Sequence, residues 1–454
     1  GRREDYERAA ALELEVRRIY SDSGSYDEVG RLRASDSLTD PLLRRQLDRL
    51  HLAYLENQVP PEITESIVHA ATEAESLFNT HRGRIGEREA TENEIREVLR
   101  GEARSDVRRE AWEASKQVGS AVAPLVRQAA RARNQAARRL GFADYYALSL
   151  ALQEQDATEL GVLFDELAEL TEQAFRAAKA GMDRILSQRY GTPAGELMPW
   201  HYSDPFFQEA PPVLDFDLDA VYRGRDVVAL AGEFFRRVGL PADDVLARSD
   251  LYEKPGKDQH AFCLDIDRRG DVRVLANVRP SERWMETMLH ELGHAVYDTN
   301  LDPALPYLLR EAAHTFTTEA VAMFFGRRAK SAEFARLLLG LPDARAEAYG
   351  KAGRRMLLWE RVVFCRWTQV MMRFERALYA DPEQDLQRLW WDLVERYQGL
   401  RRTPGEGRCD WAAKIHLTTN PVYYHNYMLG EMMASQLQRM LAREAAGVEG
   451  PEGD

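Results

Sequence analysis

Apolar residues recur at three- and four-residue spacing along 4–20, 42–57, 61–80, 91–117 and 119–140. That is the period of a helix with one buried face, and it predicts five helices in the first third of the chain. The punctuation between them is Ser21-Asp22-Ser23-Gly24-Ser25, Pro60-Pro61 and Gly83. A further long helix is predicted over 157–189, starting after Asp156. The stretch 190–220 departs from this pattern. It holds Pro193, Pro199, Pro205, Pro211 and Pro212 among aromatic residues, which excludes a regular helix and predicts an ordered, irregular connector or site wall. Strand-like alternation appears in Ala261–Asp267 and Asp271–Val278, separated by Arg268-Arg269-Gly270. The pair reads as a hairpin with Val272, Val274, Ala276 and Val278 on one face. Pro280 and Ser281 then end the strand, with Ser281 as the N-cap of a new helix. The rest is helical to about residue 440, with breaks at 301–306, 340–343, 380–384 and 401–410. The tail 447–454 reads as disordered.

Composition narrows the function classes. The chain has 454 residues, of which 44% are hydrophobic and 30% charged, so it is globular. No repeat of solenoid length stands out. The net charge is −13, which disfavours general nucleic-acid binding because that affinity rests on cations meeting phosphates. No apolar run is long enough to span a membrane. Three well-separated cysteines, Cys263, Cys365 and Cys409, argue against a disulfide framework. No signal peptide is legible, which favours a cytoplasmic location. The first residue is Gly1 rather than Met, so an exported form with its leader removed stays open. Arginine is abundant and lysine rare, with seven in the chain, a composition that suits a bacterial genome rich in G and C.

The helix after Ser281 contains His290-Glu291-Leu292-Gly293-His294. Residues four apart lie about 40° apart around a helix, so both imidazoles face one way and can share one Zn²⁺. Glu291, one residue on, can reach a metal-bound water instead of the metal. The bland alternative is two partly buried histidines on an amphipathic helix. A catalytic zinc needs a third protein ligand. The extended motif that supplies a third histidine would place it at 300, and that residue is Asn300. Glu311, His314 and Glu319 are the nearby alternatives. Glu319 is chosen because it enters the apolar run Ala320–Phe325, where a carboxylate is costly unless paired or metal-bound. Near the C-terminus, Lys414, His416, Tyr423, Tyr424, His425 and Tyr427 gather many donors, as an oxyanion requires. The alternative there is a solvated helix start rich in Tyr and His.

With these residues in view, residues 85–440 resemble the zinc peptidyl dipeptidases of the angiotensin-converting-enzyme-like family. Four motifs carry the likeness: Gln259-His260-Ala261; the H-E-x-G-H helix; Arg310 with Glu319; and Trp390-Trp391 through Tyr397-Gln398-Gly399-Leu400, followed by Lys414-Ile415-His416 and the tyrosines. Arg133-Asn134 with Leu140-Gly141-Phe142 is similar to this family and to the related thimet oligopeptidases. The resemblance implies a mainly α fold, a helical ellipsoid with a deep central channel and a small β-hairpin beside the zinc-binding helix, as one catalytic domain. It implies that His290, His294 and Glu319 bind Zn²⁺, with Glu291 as general base. His260 and Ala261 would hold the substrate backbone on a strand edge, and Lys414 would hold a peptide's C-terminal carboxylate. His416 and a tyrosine would stabilise the tetrahedral intermediate. Short peptides would be the substrates.

The chain departs from the family pattern at several points. The oxyanion tyrosine's position is Asn426, and a one-residue insertion repairs this. Tyr424 then binds the carboxylate and Tyr427 serves the oxyanion. Without the insertion, Tyr423 takes the first role and the second is unfilled. The chloride-binding arginines of animal members fall at Val394 and at Asn426 or His425, so chloride activation is not expected. The family's glutamine on the carboxylate cannot be placed; the matching loop reads Trp200-His201-Tyr202. Two other readings stay open: a thimet-like oligoendopeptidase without a strict C-terminal requirement, and a non-catalytic peptide-binding protein.

Overall fold

The computed structural model describes residues 3–211, 216–254, 257, 261–403 and 407–446. The fold class is mainly α, as expected. Among the described residues only two small sheets interrupt the helices, each a two-stranded antiparallel ladder. The chain divides into two compact units. One comprises Gly1–Gln58, Leu214–Leu357 and Leu429–Asp454; the other comprises Val59–Val213 and Leu358–Met428. The chain passes between them within the helices Asp343–Ala380 and His425–Ala446.

The first unit is built around the helix Glu282–Thr299. Ser281 caps it as predicted, its hydroxyl accepting from the Trp284 N–H at 3.2 Å. Its apolar side buries Met285, Met288, Leu289, Leu292, Ala295 and Val296 in one core with Phe234, Phe235 and Phe325. The hairpin packs on the same core. Its strands are Phe262–Asp265 and Val272–Leu275, in the register Phe262↔Leu275 to Asp265↔Val272. They are shorter than predicted because the N–H of Ala276 bonds to Asp250 and that of Val278 to Leu251, not to the partner strand. The predicted inward face holds: Val272, Val274 and Ala276 are buried. Near the N-terminus, Ser21–Ser25 contains a second helix start rather than a simple break. Asp22 caps Ser23–Arg33 by accepting from the Ser25 N–H.

The second unit is organised by the 35-residue helix Ser105–Arg139. The periodicity suggested a break near residue 118, but the helix is continuous there and carries Pro124 in its interior. The break falls earlier, after a helix Glu92–Gly101 that opens on a Thr91/Glu94 capping box. Packing explains the continuity. Val118 is buried, and a Cβ on Gly119 would lie 2.2 Å from the Cys409 carbonyl oxygen. The segment that leads into Lys414 therefore rests directly on this helix. A hairpin, Gly83–Ile85 with Arg88–Ala90, was missed because Gly83 reads as a breaker. That glycine is needed because its Cβ would meet the Ala114 carbonyl oxygen at 2.8 Å. The connector 190–220 is irregular where described, with short turns of 3-10 helix and buried Tyr202 and Phe207.

All three cysteines are free thiols. Among the described residues no helix is long and apolar enough to cross a membrane. The tail 447–454 lies outside the described residues.

Gly119→Ala is expected to destabilise the protein by ~1–3 kcal/mol, because the methyl meets backbone rather than a yielding side chain. Gly30→Ala, in a helix with open space around that position, should leave stability unchanged or raise it by up to ~1 kcal/mol. Thermal unfolding of the two variants side by side checks both.

Candidate metal and carboxylate sites

In the first unit, Glu282–Thr299 packs against Thr315–Gly326 at very short range. Gly293, between the two motif histidines, makes this possible: its Cβ would lie 2.7 Å from the Ala322 Cα. The approach places Glu319 beside both imidazoles. Its Oε2 is 3.6 Å from His290 Nε2 and 3.9 Å from His294 Nε2. One ligand atom from each of His290, His294 and Glu319 lies within 4.8 Å of the others. Gly430 backs Glu319 from the other side, and its Cβ would sit 3.1 Å from the Glu319 Cβ.

The electrostatics of this cluster follow from burial. Desolvation pushes His290 down to about 4 and His294 to about 3, the latter also opposed by His290. Both imidazoles are therefore neutral near pH 7, the form that ligates a metal. Desolvation pushes Glu319 up to about 7 and Glu291 to about 8, with Glu319 adding to the shift of Glu291. Glu319 Oε2 is buried and accepts no hydrogen bond among the described residues. Two neutral imidazoles and an unpartnered buried carboxylate oxygen are a donor set that fits one Zn²⁺. His294 Nδ1 bonds the Thr318 hydroxyl at 2.7 Å. In the tautomer with the proton on Nδ1, this contact fixes the ring and turns the Nε2 lone pair toward the cluster, as an outer partner of a metal-ligating histidine does. Thr318 was not singled out in the sequence; its one signal is adjacency to Glu319.

The other candidates for third ligand lie elsewhere. Glu311 is held by Arg49 at 2.5 Å and Arg268 at 2.7 Å. His314 precedes the helix Thr315–Gly326 and packs on Phe316. Ala261 is half-buried at the start of the strand Phe262–Asp265, against the edge of the core. His260 lies outside the described residues.

The second unit holds a separate polar cluster. Lys414 Nζ donates to Gln208 Oε1 at 2.8 Å, and the Tyr424 hydroxyl donates to the same oxygen at 3.3 Å. Two donors converging on one amide oxygen form a place that an anionic carboxylate oxygen also fits. Burial, with Arg96 adding to it, pushes the Lys414 ammonium down to about 8. Burial pushes the Tyr424 hydroxyl up, so it remains a donor. Tyr424, not Tyr423, makes this contact. The rings of Tyr424 and Tyr427 are 5.3 Å apart, and those of His416 and Tyr424 are 5.1 Å apart. Gln208 lies six residues beyond Tyr202 in the chain. Only the folded turn brings it to Lys414.

His425 and Asn426 pair with glutamines: His425 Nε2 with Gln155 Oε1, and Asn426 Nδ2 with Gln153 Oε1.

The family model for angiotensin-converting enzyme matches residues 216–451, just over half of the chain. The chain belongs to the angiotensin-converting enzyme family. It is 24% identical over 372 residues to the enzyme of Rattus norvegicus and 24% over 373 to that of Mesocricetus auratus. It is 23% identical over 369 residues to that of Sus scrofa. Each match covers 75% of this chain and 28% of the relative, so the chain spans little more than a quarter of their length.

Gly293→Ala should drive the two helices apart and lower zinc affinity, and Thr318→Val should lower it ~10–100-fold through the freed His294 ring. Competition with a chelator of known affinity measures both.

Proposed function

We propose that the protein is a zinc-dependent peptidase that releases C-terminal dipeptides from short peptides. Family membership supports the zinc peptidase class. The observation that carries the reading is the buried convergence of His290, His294 and Glu319 on one point, with Glu319 Oε2 unpartnered. When bound there, Zn²⁺ supplies Lewis acidity, lowering the pKa of a water and polarising a carbonyl.

The remaining chemistry is assigned to the chain's own groups. Glu291 takes the proton of the attacking water and returns it to the leaving amine. His416 and Tyr427 hydrogen-bond the oxyanion. His260 and Ala261 align the peptide backbone as an added strand. Lys414 and Tyr424, joined by Gln208, grip the free C-terminal carboxylate and so set the register. With neither chloride-binding arginine at its expected position, activity is independent of chloride.

A short peptide with a free C-terminus, the same peptide amidated, and mass spectrometry of the products test the reading. Dipeptides released from the free acid alone support it. Internal cleavage of both peptides moves the protein to the oligoendopeptidase reading. No cleavage by zinc-loaded protein moves it to peptide binding without catalysis. Glu291→Gln should lower kcat by ~10²–10⁴-fold with zinc retained.

The grip on the carboxylate should depend on pH. The folded Lys414 pKa lies below the usual lysine value, so its charge is present below about 8 and is lost above it. KM for the free acid should be flat below that pH and rise up to tenfold per unit above it.

A further inference from the structure

A side chain with a Cβ meets its own backbone when φ is positive, and a β-branched residue meets it worst. Five described non-glycine residues have positive φ: Glu154, Ser203, Phe207, Arg268 and Val422. Four of them border the Lys414–Gln208–Tyr424 cluster. Phe207 directly precedes Gln208, and Ser203 opens the same turn. Val422, at φ 53°, stands two residues before Tyr424. Glu154 lies between Gln153 and Gln155, which both bond the segment 422–426. Such conformations cost ~1–3 kcal/mol each and persist only where the surroundings over-determine them.

The hold on Val422 is specific. Glu375 Oε1 accepts its N–H at 2.7 Å, and Gln153 Nε2 donates to its carbonyl at 3.0 Å. Both backbone polar groups of the strained residue are thus taken by side chains, Glu375 from the helix Asp343–Ala380 and Gln153 from the cap that follows Tyr145–Leu152. The flanks are held too. Arg133 donates to the Thr418 carbonyl at 2.7 Å, and Gln155 Nε2 donates to Asn426 Oδ1 at 2.9 Å. Glu375 is 2% exposed, and the Val422 N–H, with the charge of buried Arg133 nearby, offsets that desolvation.

What the turn decides is which tyrosine reaches Gln208. Tyr423 and Tyr424 are adjacent, and adjacent side chains in non-helical backbone point to different sides. A valine relaxing to negative φ would rotate the chain that follows and carry Tyr424 off Gln208. We propose that Glu375 is a positioning residue: through the Val422 N–H it holds the left-handed turn that selects Tyr424 over Tyr423 for the carboxylate-binding cluster. Resting on the reading of that cluster given above, the role requires no contact between Glu375 and the peptide.

The test uses the full, zinc-loaded chain and three variants. Glu375→Met keeps the volume and removes the acceptor. Glu375→Gln keeps an acceptor. Glu375→Met with Val422→Gly removes the acceptor but makes the left-handed turn free of strain. Crystal structures give φ at 422 and the tyrosine on Gln208; kinetics give kcat and KM on the free-acid peptide. Glu375→Met should lose the Tyr424–Gln208 contact and raise KM for the free acid ~10-fold, the loss of about one charge-assisted hydrogen bond. Its zinc content should be unchanged, which a general loss of structure would not leave. Glu375→Gln should behave as wild type, and the double variant should regain the contact and the KM. Tyr424 still on Gln208 with residue 422 left-handed in Glu375→Met overturns the proposal. So does a loss on the free-acid peptide that Val422→Gly does not repair. If Glu375→Met does not fold, the double variant decides: wild-type geometry and KM support the strain-relief argument, and their absence overturns it. If the wild type itself cleaves both peptides alike, the reading of the cluster fails, and the crystal structures alone decide whether Glu375 holds the turn.

Discussion

The first unit depends on one close approach. Two helices meet at Gly293 and Ala322 at a distance no side chain at 293 would permit. Because of it, a carboxylate from one helix lies within 4 Å of two imidazoles from the other. All three groups are buried enough to shift their pKa values toward the neutral forms. A packed core holds the helices there, with Leu292 and Ala295 buried on the face opposite solvent. The unpartnered Glu319 oxygen is the cost of that placement, and a cation relieves it.

The second unit solves a different problem by similar means. Lys414, Gln208 and Tyr424 come from three separated stretches, two of which pass through left-handed non-glycine residues. Buried side chains that bond backbone hold those stretches. Asp204 accepts from the N–H groups of Phe206, Gln208 and Glu209, and Gln398 donates to the carbonyls of Phe206 and Phe207. Glu375 and Gln153 do the same for Val422. Rigid placement of a few donors is what recognition of a small anionic group requires, since flexible donors lose entropy on binding.

The sequence carried much of this in advance. The helix Glu282–Thr299, its Ser281 cap, the hairpin before it and the nearness of Glu319 to both histidines were all legible. Each rests on local rules: a period, a capping hydroxyl, the spacing of two histidines on one helix face, and the penalty for a carboxylate in an apolar run. The errors fell where long-range contacts override local preference. The helix Ser105–Arg139 runs through the expected break because Gly119 packs on Cys409. The hairpin at 83–90 hides behind a glycine whose purpose is close packing on Ala114.

The amino-acid sequence by itself determined the mainly α class, the pair of histidines with their glutamate, and the candidate donors around Lys414. These follow from neighbours a few residues apart, where chain geometry leaves little choice. The tertiary structure alone decided that Tyr424 rather than Tyr423 meets Lys414's partner, that this partner is Gln208, and that Thr318 bonds His294. Those pairings join residues separated by up to 216 positions. The Tyr424–Gln208 geometry depends on backbone held at φ values that no local propensity favours, and only the packed core can maintain it.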